Sequence, residues 1–205
     1  MHSVHILLPI LLLARAASAD TISSDPNDAG KVTHIRKGVW ELDTGALGVL
    51  SVDKQGDMSV TRFSTDFSGQ LHYFINDNFS VGAEALFDFD DSGDGVSATT
   101  FGGALDAAIH LRLGLGAFFR PGIAVGALFG HRNIPMGAGS VEQASQVGFI
   151  TRLQLPIAYF ASSRFLLQAG PQVNITVGSF TPNGGEAQTF TRIAGGFAVG
   201  FGYVF

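Results

Sequence analysis

Between Ile193 and Phe205 the chain alternates with a period of two, and neither of the two faces is polar. Ile193, Phe197, Val199, Phe201, Tyr203 and Phe205 are large and apolar, while the even positions from Ala194 to Gly202 are all Gly or Ala. A period of two belongs to an extended strand, whose successive side chains point to opposite faces. A half-buried strand of a soluble sheet carries polar groups on its wet face. Bulk on one side and almost no side chain on the other suits a strand with lipid outside and a crowded interior within.

A second stretch carries the same period further. From Thr61 to Tyr73 one face reads Thr61, Phe63, Thr65, Phe67, Gly69, Leu71, Tyr73, and the other Arg62, Ser64, Asp66, Ser68, Gln70, His72. Thirteen residues exceed the usual soluble strand of ~5–6 but match a tilted transmembrane strand of ~9–11 with short extensions.

Composition agrees. Hydrophobic residues make up 46% and charged ones only 14%, against a usual ~25%. Past the amino terminus there is no long unbroken apolar run of the kind a membrane helix needs, so the hydrophobicity is spread as alternation. Gly, at 27 of 205 residues, is nearly twice its usual ~7% share, which suits a small barrel with a crowded or sharply bent interior. A net charge of −5 argues against nucleic acid as a partner. The absence of Cys excludes a disulfide framework and a lipoprotein attachment site.

The amino terminus reads as an export signal. Ile6–Leu13 is apolar but far too short for a membrane-spanning helix, and Ala17-Ser18-Ala19 fits a cleavage site. Residues 1–19 are therefore expected to be a signal peptide, removed on export, although no Lys or Arg precedes the apolar run. Residues 20–37 read as a short, mobile, polar periplasmic lead-in, and 38–205 as a single barrel domain.

Alternation divides that domain into eight strands, at about 39–51, 60–74, 79–90, 99–113, 118–130, 146–160, 165–177 and 189–205. Short connections (75–78, 114–117, 161–164) alternate with longer ones (52–59, 91–98, 131–145, 178–188). These are the periplasmic turns and extracellular loops of an antiparallel barrel. Trp40, Tyr73, Phe79, Phe119, Tyr159, Phe165, Tyr203 and Phe205 gather near the short-turn ends, and Phe63, Phe87, Phe89, Phe101, Phe129 and Phe190 toward the long-loop ends. Two such groups are the aromatic girdles of the membrane interfaces. The expected class is all-β, an eight-stranded antiparallel transmembrane β-barrel.

The strand–turn–strand run Tyr73-Phe74-Ile75-Asn76-Asp77-Asn78-Phe79-Ser80-Val81-Gly82, the run Phe119-Arg120-Pro121-Gly122 and the ending Gly200-Phe201-Gly202-Tyr203-Val204-Phe205 resemble the small eight-stranded outer-membrane barrels of the OmpA/OmpX type. The resemblance covers essentially all of 38–205, without the peptidoglycan-binding domain of full-length OmpA-type proteins. It implies the bacterial outer membrane as location. It also implies insertion by the barrel-assembly machinery, which would read Phe201, Tyr203 and Phe205, and contact with outer-membrane lipid and lipopolysaccharide as a monomer.

An eight-stranded barrel is just wide enough for its own side chains. Alternation sends Arg62, Arg112, Arg120, Arg152 and Arg192 into the lumen, together with Glu41, Asp43, Asp66, Glu84, Asp88, Asp106, His72 and His110. Charges away from water must pair, so a lumenal network is expected, with Glu84 beside Arg112 and His110. The function expected is a structural or surface-interaction role with a plugged lumen. The alternative is a narrow porin-like channel for small solutes or ions. A lipid-modifying enzyme ranks third, because no His-x-Ser spacing occurs: His72, His110 and His131 are each followed by other residues. No catalytic residue, cofactor or metal is assigned. The run Asp88–Gly95 imitates the start of a calcium loop, but Thr99 stands where the bidentate Glu would be needed.

Overall fold

The computed structural model describes residue 35 and residues 37–205 except 56–57, 92–96, 115, 136–140 and 184, and side chains in all of these but 49–63, 91, 135 and 141. The expected signal peptide and nearly all of the lead-in lie outside the described residues, as does the tip of the Asp88–Gly95 run.

Among the described residues eleven strand segments follow one another: β1 (Trp40–Gln55), β2 (Met58–Asn76), β3 (Phe79–Asp91), β4 (Ser97–Ile109), β5 (Leu111–Gly114), β6 (Ala117–Phe119), β7 (Gly122–Pro135), β8 (Val141–Gln154), β9 (Ile157–Phe160), β10 (Phe165–Pro182) and β11 (Gln188–Val204). All pairings are antiparallel, and β11 pairs with both β10 and β1, so the sheet closes on itself. The ring has eight staves, because β4–β5, β6–β7 and β8–β9 are each one stave with a break. Pro121 and Pro156 lie in two of these breaks, where the missing N–H removes a ladder bond. Their carbonyls still accept from Ile109 (2.9 Å) and Arg120 (2.9 Å), so the ladder runs on across the gaps.

The register fixes the barrel's dimensions. Paired residues lead from Asp43 through Gln70, Glu84, Ala104, Gly126, Ile150, Thr176 and Arg192 back to β1 at Asp53, ten residues further along. A stagger of ten over eight staves tilts the strands by roughly 40° and sets a backbone radius of about 8 Å.

Which side chains point inward follows a single parity rule. Odd positions of β1 and even positions of every other described segment face the lumen. The opposite positions form an apolar outer wall on which Leu105 and Phe149 are each 74% exposed. A closed ring with such a wall is what the hydrocarbon of a bilayer demands, since every backbone group is paired internally. The short turns fall close to where the sequence put them, and the strands run one to five residues further on the long-loop side.

Two expectations fail. Phe190, taken for the outer girdle, is even-numbered and buried at 6% exposure inside the lumen's outer end, against Phe180. Arg112 has the inward parity, but β5 lies at the short-turn rim below the packed lumen, where Arg112 is exposed. It therefore does not meet Glu84.

Candidate functional site: the filled lumen

The lumen is packed in layers. At the short-turn mouth Phe74, Phe118, Phe160, Leu166, Val204 and Ala158 meet in an apolar cluster, with Ile35 packed among them. Phe118 and Phe160 stack edge to face at 5.8 Å.

Above it lies the first polar layer. Arg120, held between β6 and β7, donates to Glu41 Oε1 at 2.5 Å, Asp43 Oδ2 at 3.3 Å and Gln168 Oε1 at 3.2 Å. His72 Nδ1 lies 3.0 Å from Asp106, and His72 Nε2 lies 3.6 Å from Asp43. Ser80 Oγ is 2.8 Å from His110 Nε2. Asp43 fits because the facing residue is Gly202: a Cβ there would collide with the Asp43 carboxylate and press on Leu166. Atoms of Glu41, Asp43 and His72 lie within 4.8 Å of one another, a set able to hold a metal ion. The Arg120 guanidinium already sits against both carboxylates, and an ion would have to displace it.

Midway, Arg152 reaches across the bore from β8 to Glu84 on β3, and its Nε donates to Asn174 at 3.0 Å. Gln70 donates to the same Glu84 oxygen at 2.8 Å, and Asn174 donates to Asp66 at 2.9 Å. Further out, Arg192 donates to Asp88 at 2.6 Å and to Ser64 at 2.6 Å. At the outer mouth the Arg132 guanidinium lies 5.4 Å from the Phe180 ring and 6.0 Å from that of Phe190. Between the layers remain three small cavities of about 30, 20 and 10 Å³, each water-sized.

Of the residues named from sequence, Asp66, Glu84, Asp106, His110, Arg120, Arg152 and Arg192 lie in these layers. The side chain of Arg62 is outside the described ones, and Arg112 is outside the lumen. Glu84 finds Arg152 rather than Arg112, and His110 finds Ser80 rather than Glu84. Phe201, Tyr203 and Phe205 lie on the outer wall, exposed. Asp88 pairs with Arg192 from within β3, an extended strand unlike the coiled start of a calcium loop.

Sequence reading missed Gln70, Ser80, Gln168 and Asn174 as network members, along with the apolar mouth. All of these except Ile35, which precedes the first strand, sit at even positions, so the parity rule was the available signal, applied there only to charges. Ser80 beside His110 has the chemistry of a nucleophile and base, but Ser80 is wholly buried and offers substrate no approach.

The chain matches no family model and no curated protein. Among solved structures, neisserial surface protein A is similar at 12% identity over 82% of this chain and 99% of that one, with a TM-score of 0.53. Ail, the attachment invasion locus protein of Yersinia pestis, shares 13% over 82% and 99%, with a TM-score of 0.49. The N-terminal β-barrel domain of Pseudomonas aeruginosa OprF shares 17% over 82% and 98%, with a TM-score of 0.43. The first of these likenesses shows the fold, a small outer-membrane barrel.

Proposed function

We propose that this chain is a bacterial outer-membrane barrel with a sealed lumen, serving a structural or surface-interaction role. The observation that carries the reading is the filled bore. Apolar packing lines the short-turn mouth, charged and amide side chains cross the middle, and the three cavities found between these layers among the described residues are water-sized. A wall without a conduit leaves the loops as the part able to meet partners. Export by a cleaved leader, assembly through the Phe201, Tyr203 and Phe205 signal, and life as a monomer among lipid and lipopolysaccharide belong to the same reading.

Expression in a Gram-negative host tests it. Mature protein beginning at Asp20, in the outer-membrane fraction and with a gel mobility that shifts on heating, is the expected result. Recovery of uncleaved chain in the inner membrane would refute it.

A second reading, a narrow channel, is favoured by one observation. The three cavities lie in series, sharing Gln70, Gln154 and Gln168 at one junction and Asp66 and Arg152 at the other.

A further inference from the structure

We infer that the lipid-facing wall carries a groove for one acyl chain, that of a glycerophospholipid from the leaflet on the short-turn side. The inference rests on the outer-membrane reading and is independent of whether the lumen conducts.

The groove follows from the register. Thr44, Gly69 and Ala85 are paired side by side on β1, β2 and β3, all on the outward face. Two residues nearer the long loops the same staves carry Ala46, Phe67 and Phe87. On the other flank Thr44 is paired with Phe201, and Phe201 with Leu167. Small side chains therefore form a floor between two rings on one side and a ring and a leucine on the other. The hollow over them has a volume of about 720 Å³, within the range of small-molecule sites.

Glycine at position 69 is not demanded by the fold. Its φ is not positive, and a Cβ there would meet nothing within 4 Å. Glycine inside a strand weakens it, and it marks places where another molecule approaches closely.

Position and charge select the occupant. The groove is continuous with the wall that a bilayer covers, so hydrocarbon is what meets it. Trp40, at the short-turn rim, precedes Thr44 by four residues on the same face. With the strand tilt allowed for, that is roughly 10 Å along the barrel axis. The hydrocarbon of one leaflet is roughly 15 Å deep, so a chain anchored at the short-turn rim reaches the groove. The Phe67 and Phe87 rings stand between the groove and the other leaflet. Arg164, exposed in the turn before β10, donates to the Tyr203 hydroxyl at 3.3 Å. Tyr203 lies two residues from Phe201 toward the rim, so a cation is held at headgroup depth, where a lipid phosphate lies. A second barrel suits the hollow less well, because its convex wall would rest on the flanking rings and bridge the floor.

Bromine quenches tryptophan only at short range, and Trp40 is the sole tryptophan. In a Trp40→Phe background, Phe67→Trp puts the probe on the wall of the groove. Phe149→Trp puts it four staves away, at a position 74% exposed. Each variant, refolded in detergent micelles and shown to be heat-modifiable, is titrated with phosphatidylethanolamine brominated in mid-chain. Phe67→Trp should be half-quenched at roughly tenfold less lipid than Phe149→Trp. Gly69→Leu combined with Ala85→Leu fills the hollow and should bring the two curves together. Gly195→Leu, at an equally open glycine outside the groove, should leave them apart. Should Phe67→Trp not fold, Phe87→Trp on the same ridge takes its place. Coincident curves in the unfilled barrel, or curves still apart in the filled one, would overturn the groove. Lipopolysaccharide displacing the brominated lipid more strongly than plain phosphatidylethanolamine does would refute the choice of leaflet. Relief of quenching as the barrel concentration rises would refute the lipid in favour of a second copy. A chain that yields no heat-modifiable barrel would sink the outer-membrane reading, and the groove with it.

Discussion

Replacing Arg152 by Met tests the mid-lumen network most sharply. Met keeps the length and apolar stem of the side chain but removes the guanidinium. Glu84, whose side chain is fully buried, would then keep only the Gln70 amide on Oε1, while its Oε2 already has no partner. Asn174 would lose the Arg152 donor as well. Breaking one side of a buried pair in this way costs about 3–5 kcal/mol, because a charge is left in low dielectric. The converse change, Glu84→Met, should cost less, about 1–3 kcal/mol, since Arg152 retains Asn174. The double variant removes both charges and should be more stable than Arg152→Met alone. Urea titration in lipid vesicles reads this, followed by the fluorescence of the sole tryptophan. Trp40 sits on the outer wall at the short-turn rim, 4.9 Å from Tyr73. A loss below about 1 kcal/mol for Arg152→Met, or a double variant as costly as the two singles summed, would refute the reasoning.

Three further outcomes follow from the same geometry. Gly202→Ala should lose about 1–3 kcal/mol by driving a Cβ into Asp43, while Gly103→Ala, whose Cβ would find its nearest atom at 3.6 Å, should be near neutral in the same titration. Leu105→Arg, in the middle of the lipid-facing wall, should cost about 2–4 kcal/mol in a bilayer, and Asn76→Arg, in the short turn, close to nothing. Phe205→Ala should leave refolding in detergent intact but lower the yield of assembled barrel in cells, read as the heat-modifiable fraction. An equal loss in both settings would mean that Phe205 matters for packing rather than for assembly.

The barrel was legible because its lipid-facing rule is written at every second residue. Phe197, Val199, Phe201 and Tyr203 give the orientation of β11 without reference to any neighbour, and Phe67 and Leu71 do the same for β2. Partner choice inside the lumen was less legible. Parity says that Glu84 and Arg112 face inward, but depth depends on where a stave leaves the packed bore. The break at His110, with a ladder bond instead to Asn78, leaves Arg112 on the rim. Arg152 reaches Glu84 across the bore, a contact set by the radius and stagger and not by sequence neighbourhood. The apolar mouth was hidden for another reason. Phe74, Phe118 and Phe160 lie beside outward aromatics in the sequence, and aromatic content alone does not separate a girdle from a seal. Only strict parity separates Phe74 from Tyr73.

Single-channel recording of the refolded mature barrel in a planar bilayer tests the sealed lumen most directly, once its gel mobility has been seen to shift on heating. A folded protein that leaves the membrane current flat is the predicted result, in keeping with layers closed by Arg120, Arg152 and the Phe74 cluster. Steady discrete conductance steps from the same folded protein would contradict the account and make the cavities beside Gln70 and Asp66 parts of a pore.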